Sequence, residues 1–251
     1  MATRRSRVGH GLCWAVRCSG CVLSLYAHRL GRAYGPDNSA TALAGALAAG
    51  VEGLEADLCL SSDGELVLLH DPWLPLATEL EGFAHERSGR ELRRAGLLAL
   101  DDFLAAAPRE VVLQLEIKAH ADPGLALRTV DVLATHLRGV QGRRVEALSF
   151  TATACERAAA LGLSTRLVIW ADYAPAALAR WAYRHGVGGV CVEHFMLSAP
   201  LVAALRKGGL SVTTGTVNDP ALLDRVLRFE PDAVTTDAPH VLRGDVRSRA
   251  A

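Results

Sequence analysis

The sequence predicts a parallel eight-stranded β/α barrel, and three observations point there. Short Val-, Leu- and Ile-rich runs alternate with longer Ala/Leu/Arg segments of helical spacing from Cys21 to Leu242, the pattern of successive βαβ units. Eight such runs are bounded by Gly, Pro or polar residues. The length of 251 residues suits one barrel of this kind, which needs about 250. An open doubly wound sheet is the competing architecture.

Strands are expected at 22–27, 53–60, 111–118, 145–150, 166–170, 189–192, 211–216 and 233–236, with helices at 40–49, 101–107, 125–137, 153–161, 175–185, 200–207 and 220–228. Pro175, Pro200 and Pro220 open helices, and Gly50, Gly162, Gly186 and Gly208 follow helix ends. One further strand, 66–70, follows the second across Ser62-Asp63-Gly64-Glu65. A two-residue Asp-Gly loop favours a type I′ hairpin, so this extra strand should return antiparallel to the second. In that register Ser62 faces Glu65 and Asp57 faces His70, on the sheet face that Glu55 shares.

Half of the residues are hydrophobic, 22% are charged, and 27 basic side chains balance 27 acidic ones. This composition argues against disorder and against a generalised nucleic-acid or anionic-membrane binder. No apolar run reaches the roughly 18–20 residues of a membrane span. Cysteines at 13, 18, 21, 59, 155 and 191 are too sparse for a disulfide scaffold, and Cys18-Ser-Gly-Cys21 is a lone pair without a second. Reduced thiols and a cytoplasmic location are expected. Residues 1–20 read as a loosely ordered extension, 21–244 as a single domain and 245–251 as a tail.

Strand alternation places Gln114, Glu116 and Lys118 on one face at a strand's C-terminal end, where barrel enzymes collect their chemistry. The first strand ends in Ala27-His28-Arg29. His28, Arg29, Glu55, Asp57, His70, Glu116 and Lys118 are therefore expected at one mouth. Three carboxylates can chelate a hard divalent cation, two imidazoles can exchange protons near neutral pH, and Arg29 with Lys118 can hold an anion. The set suggests metal-assisted chemistry at a phosphate.

The runs Ala27-His-Arg-Leu-Gly31, Gly35-Pro-Asp-Asn-Ser39, Gly53-Leu-Glu-Ala-Asp57, Leu69-His-Asp71 and Leu115-Glu-Ile-Lys118 together resemble the glycerophosphodiester phosphodiesterase family. Ser149-Phe150, Thr216-Val-Asn-Asp219 and Thr236-Asp237-Ala-Pro239 extend the likeness to nearly the whole chain. The resemblance implies a TIM barrel that hydrolyses glycerophosphodiesters to glycerol 3-phosphate and an alcohol with a divalent cation, Mg²⁺ or Ca²⁺. It implies metal coordination by Glu55, Asp57 and Glu116, acid/base roles for His28 and His70, and phosphate contacts from Arg29 and Lys118. It does not assign the two proton-transfer roles, nor choose between direct attack by water and a cyclic phosphate.

Some positions depart from the family pattern. Leu30 stands where a Gly normally follows His-Arg, and Gly215 where a Trp commonly precedes Thr-Val-Asn. Loss of that Trp should widen the mouth. Glu193, His194, Trp170 and Gly215 are candidate pocket residues, and His120 and Asp122 also lie just past a strand end. Two other readings compete: a phospholipase-type enzyme acting on lysophospholipids, and a non-catalytic barrel that binds a phosphorylated metabolite.

Overall fold

A computed structural model describes residues 23–118 and 122–243. The N-terminal extension with Cys13, Cys18 and Cys21, together with His120 and the C-terminal tail, lies outside the described residues. The strands are β1 Ser24–Ala27, β2 Gly53–Leu60, β3 Leu66–Leu68, β4 Val112–Ile117, β5 Val145–Ser149, β6 Ser164–Ile169, β7 Gly189–Glu193, β8 Ser211–Gly215 and β9 Ala233–Thr236. The helices are α1 Ala40–Ala48, α2 Gly89–Arg94, α3 Leu100–Ala106, α4 Pro123–Leu137, α5 Ala152–Ala160, α6 Pro175–His185, α7 Ala199–Lys207 and α8 Pro220–Leu227.

Eight strands pair in parallel in the order β1, β2, β4, β5, β6, β7, β8, β9, and β9 returns to β1, so the barrel is closed. Between β1 and β2, Tyr26 pairs with Gly53. A Cβ at residue 53 would fall 2.3 Å from the Tyr26 ring, so only glycine lets these strands meet. Helix starts follow the sequence signals. Ser39, Asp122 and Asp219 cap α1, α4 and α8 by accepting from Ala42 N, Leu125 N and Leu222 N. Pro175, Pro200 and Pro220 sit in the first turns of α6, α7 and α8. Among the described residues no helix is long and apolar enough to cross a membrane.

Two expectations are corrected. Helix α2 was not foreseen, because Gly89–Arg94 is short and polar, although Ser88 and Glu91 form the reciprocal capping box that announces it. The extra strand β3 does pair antiparallel to β2 outside the barrel, but one residue out of the expected register. Ser61 rather than Ser62 faces Glu65, and Asp57 faces Leu69 rather than His70. The loop is a three-residue one, closed by Gly64 at φ +88° and by Glu65 N donating to Ser61 Oγ at 2.7 Å. His70 thus reaches the mouth because the chain leaves the ladder after Leu69, not through strand pairing.

The opposite, N-terminal end of the barrel holds a buried ion pair. Arg166 Nε and Nη2 donate to the two Glu146 carboxylate oxygens at 2.7 and 2.8 Å, and Gln114 Nε2 adds a third bond at 2.8 Å. Burial alone would raise the Glu146 pKa, but the Arg166 hydrogen bonds and charge bring it below the ordinary value. A carboxylate depressed in the folded state stabilises above its unfolded pKa, and that stabilisation is lost as pH falls through the folded value. Glu146→Gln is expected to cost about 3–5 kcal/mol, because it leaves the Arg166 charge buried and unpaired. Urea unfolding at pH 7 and at pH 3 measures it: the variant's deficit should shrink in acid.

Candidate active site

The site is built at the C-terminal ends of β1, β2 and β4. Past β1 the chain reverses through His28–Leu30, with Arg29 at φ +47° and Leu30 at φ +65°. A left-handed conformation costs an L-residue roughly 1–2 kcal/mol, about what burying a leucine side chain returns. Leu30 is fully buried, which explains how leucine is tolerated there. The reversal also aims Arg29 N at Glu55 Oε2, at 2.8 Å.

Glu55 and Asp57 alternate on β2, and the β2–β4 register sets Asp57 beside Glu116. One oxygen from each of the three carboxylates lies within 4.8 Å of the others. Glu55 and Asp57 are 5% and 1% exposed. Burial and the neighbouring Asp57 charge push the Glu55 carboxyl up to about 8, and burial also raises Glu116. Burial would lift Asp57 too, but the Lys118 charge and the Asn38 hydrogen bond hold it below its ordinary value. Asn38, at φ +57°, donates to Asp57 Oδ2 at 2.9 Å and accepts from Asp57 N at 3.2 Å. The Glu55 Oε1 atom is buried without a hydrogen-bond partner. Hard oxygen donors, mutual repulsion and an unpartnered buried oxygen fit a divalent cation well.

Cationic side chains complete this wall. Lys118 Nζ lies 3.0 Å from Asp57 Oδ1 and 2.7 Å from Glu116 Oε1, so in the structure its ammonium spans two of the carboxylates. Arg29 Nη1 donates to Asp37 Oδ2 at 2.7 Å, while its buried Nε lies 3.7 Å from Asp57 Oδ2 without a hydrogen bond. A guanidinium N–H left without a hydrogen bond can donate to an anion.

His28 Nδ1 lies 2.7 Å from Asp237 Oδ1, and its Nε2 is 4.0 Å from Glu55 Oε2. Asn218 holds Asp237 in turn, Nδ2 donating to Oδ2 at 2.6 Å. Burial would lower the His28 pKa, but the Asp237 hydrogen bond and the Glu55 charge more than offset it, so it is raised. His70 Nδ1 is 3.1 Å from the half-exposed Asp71 carboxylate without hydrogen-bond geometry. Sequence reading gave no role to Asp237, Asn218 or Asn38, although all three stood within the quoted motifs.

Asp237→Asn is expected to lower turnover by roughly tenfold or more, part of the 10²–10⁴-fold that general acid–base catalysis supplies. Since Asp237 raises the His28 pKa, its removal should move the acid limb of the rate–pH profile to lower pH. A merely structural role would leave that limb in place.

These groups line a cavity of about 260 Å³. His28, Arg29, Glu55, His70, Glu116 and Lys118 line it, together with the apolar Leu148, Phe150 and Val168. A larger hollow, about 550 Å³, lies at the barrel's opposite end around Glu146 and Arg166, away from the paired histidines and the acidic trio. Glu193 and Gly215 line the 260 Å³ cavity. His194 and Trp170 do not, and Trp170 is 57% exposed at the rim. The Gly215 position is not vacated space: a Cβ there would stand 2.8 Å from Thr235 Cβ, so Thr235 occupies that side. Asp122 caps α4 instead of facing the cavity.

The match to a family model and to relatives identifies the barrel as a phosphoric diester hydrolase. The family model for the glycerophosphoryl diester phosphodiesterase family matches residues 28–241, and the chain belongs to that family. It is 23% identical to the Bacillus subtilis protein YqiK over 87% of this chain and 96% of that one. It is 26% identical to a Mycobacterium tuberculosis protein named probable glycerophosphodiester phosphodiesterase 2, over 83% and 84%. An Oleispira antarctica phosphodiesterase solved with its product sn-glycerol-3-phosphate superposes with a TM-score of 0.82 at 22% identity, covering 90% of this chain and 97% of that one. At that identity the likeness speaks for the fold.

Proposed function

We propose that the protein hydrolyses glycerophosphodiesters to glycerol 3-phosphate and an alcohol, using a divalent cation. The observation that carries this reading is the convergence of three carboxylates within 4.8 Å and two histidines on one cavity. The Oleispira enzyme's bound product supports the choice of substrate. Glu55, Asp57 and Glu116 would hold the cation, Mg²⁺ or Ca²⁺. Bound there, it would supply Lewis-acid stabilisation of charge at the phosphate and lower the pKa of a hydroxyl or water.

The chain's own residues do the rest. Arg29, whose Nε–H makes no hydrogen bond within the protein, and Lys118 bind phosphate oxygens. His28 accepts the nucleophile's proton at Nε2, because Asp237 on Nδ1 fixes the ring and stabilises the imidazolium that forms. His70 donates a proton to the departing alkoxide. Free, buried Cys59 and Cys155 support a reducing, cytoplasmic site of action.

Phosphorus NMR of glycerophosphocholine incubated with the protein and Mg²⁺ or Ca²⁺ tests which bond breaks. Glycerol 3-phosphate should appear. Choline phosphate instead, or no phosphomonoester with either cation, would overturn the reading.

A further inference from the structure

Glu193, the last residue of β7, is half-buried and lines the same cavity as the histidines. Its carboxylate makes no hydrogen bond or ion pair among the described residues. It pairs across the sheet with Gly215, which offers no side chain to meet it. It does not belong to the trio whose oxygens gather within 4.8 Å. Burial raises its pKa, more than the nearby His194 and His28 imidazoles lower it, and no side chain bonds to the carboxylate to offset the loss of water.

Apolar side chains share the cavity with it: Leu148 and Phe150 from the end of β5 and Val168 from β6. A diester whose phosphate sits against Arg29, Lys118 and the acidic trio must place its second alcohol among these side chains. A neutral alcohol leaves Glu193 desolvated and unpaired, and an acyl chain does so more completely. A positively charged amine pairs with the carboxylate, and methyl groups on that amine cover apolar surface and the Phe150 ring. We propose that Glu193 selects diesters whose alcohol carries a cationic amine, the ammonium of a choline or ethanolamine head. This selection rests on the hydrolase reading above.

The test is the ratio of kcat/KM for glycerophosphocholine over glycerophosphoglycerol, whose head is neutral, in the wild type, Glu193→Gln and Glu193→Asp. The wild type should favour the cationic head by about tenfold or more, the worth of one charge-assisted contact. Glu193→Gln should bring the ratio close to one, and Glu193→Asp, which keeps the charge, should restore part of it. A wild-type ratio near one, or an unchanged ratio in Glu193→Gln, overturns the proposal and leaves the hydrolase reading standing. Rates on lysophospholipids that climb with acyl-chain length whatever the head charge also overturn it. No turnover of either diester by folded wild-type protein with Mg²⁺ or Ca²⁺ overturns both.

Discussion

Replacing His28 by alanine is expected to lower kcat on a glycerophosphodiester by about 10²–10⁴-fold, the span that a positioned general acid or base supplies. The expectation rests on how the ring is held. Its Nδ1 is fixed by Asp237, itself fixed by Asn218, so Nε2 is left to take a proton in the cavity. His70→Ala should fall in the same range on natural substrates, and a change of leaving group separates the two. A p-nitrophenyl diester departs without protonation, so His70→Ala should recover most of its activity on it, whereas His28→Ala should not. Retention of activity within tenfold by both variants on the natural substrate would remove the acid/base assignment.

Asp57→Asn is expected to weaken cation binding by about 100-fold or more, beyond the 10–100-fold that loss of an outer partner typically costs. Asp57 is 1% exposed, and its charge is held by Lys118 and Asn38. An amide cannot replace that charge in a site built on three carboxylates. Asn38→Ala, which removes one bond to the Asp57 carboxylate and one to its backbone N–H, should cost about 10–100-fold. Calorimetric titration of Mn²⁺ into each variant reads both losses without reference to turnover. Equal affinities in wild type and Asp57→Asn would take Asp57 out of the cation site.

Strand alternation was enough to bring Glu55, Asp57, Glu116 and Lys118 to one face, because a period of two along β2 and β4 is local information. The closed barrel was legible for a similar reason, since eight runs with helical crossovers leave few topologies. The β2–β3 register was not. An Asp-Gly pair reads equally as a two-residue turn or as the end of a three-residue loop, and since a type I′ turn needs a positive φ at both residues, Asp63, which has none, selects the second. His70 reaches the cavity all the same, for a different physical reason.

Asp237 escaped notice because its partner His28 is 209 residues away, and only barrel closure between β9 and β1 brings them together. The Asn38 bonds to Asp57 depend on a left-handed backbone that no periodicity announces. Trp170 ends a strand, yet lies at the rim 57% exposed because it falls one residue beyond the β6 ladder.

The most direct measurement is release of glycerol 3-phosphate from glycerophosphocholine by purified protein, first with EDTA and then with Mg²⁺ or Ca²⁺ restored. The carboxylate trio and the two histidines predict release that EDTA stops and the cation restores. Release indifferent to EDTA, or none under any condition from folded protein, would contradict the account.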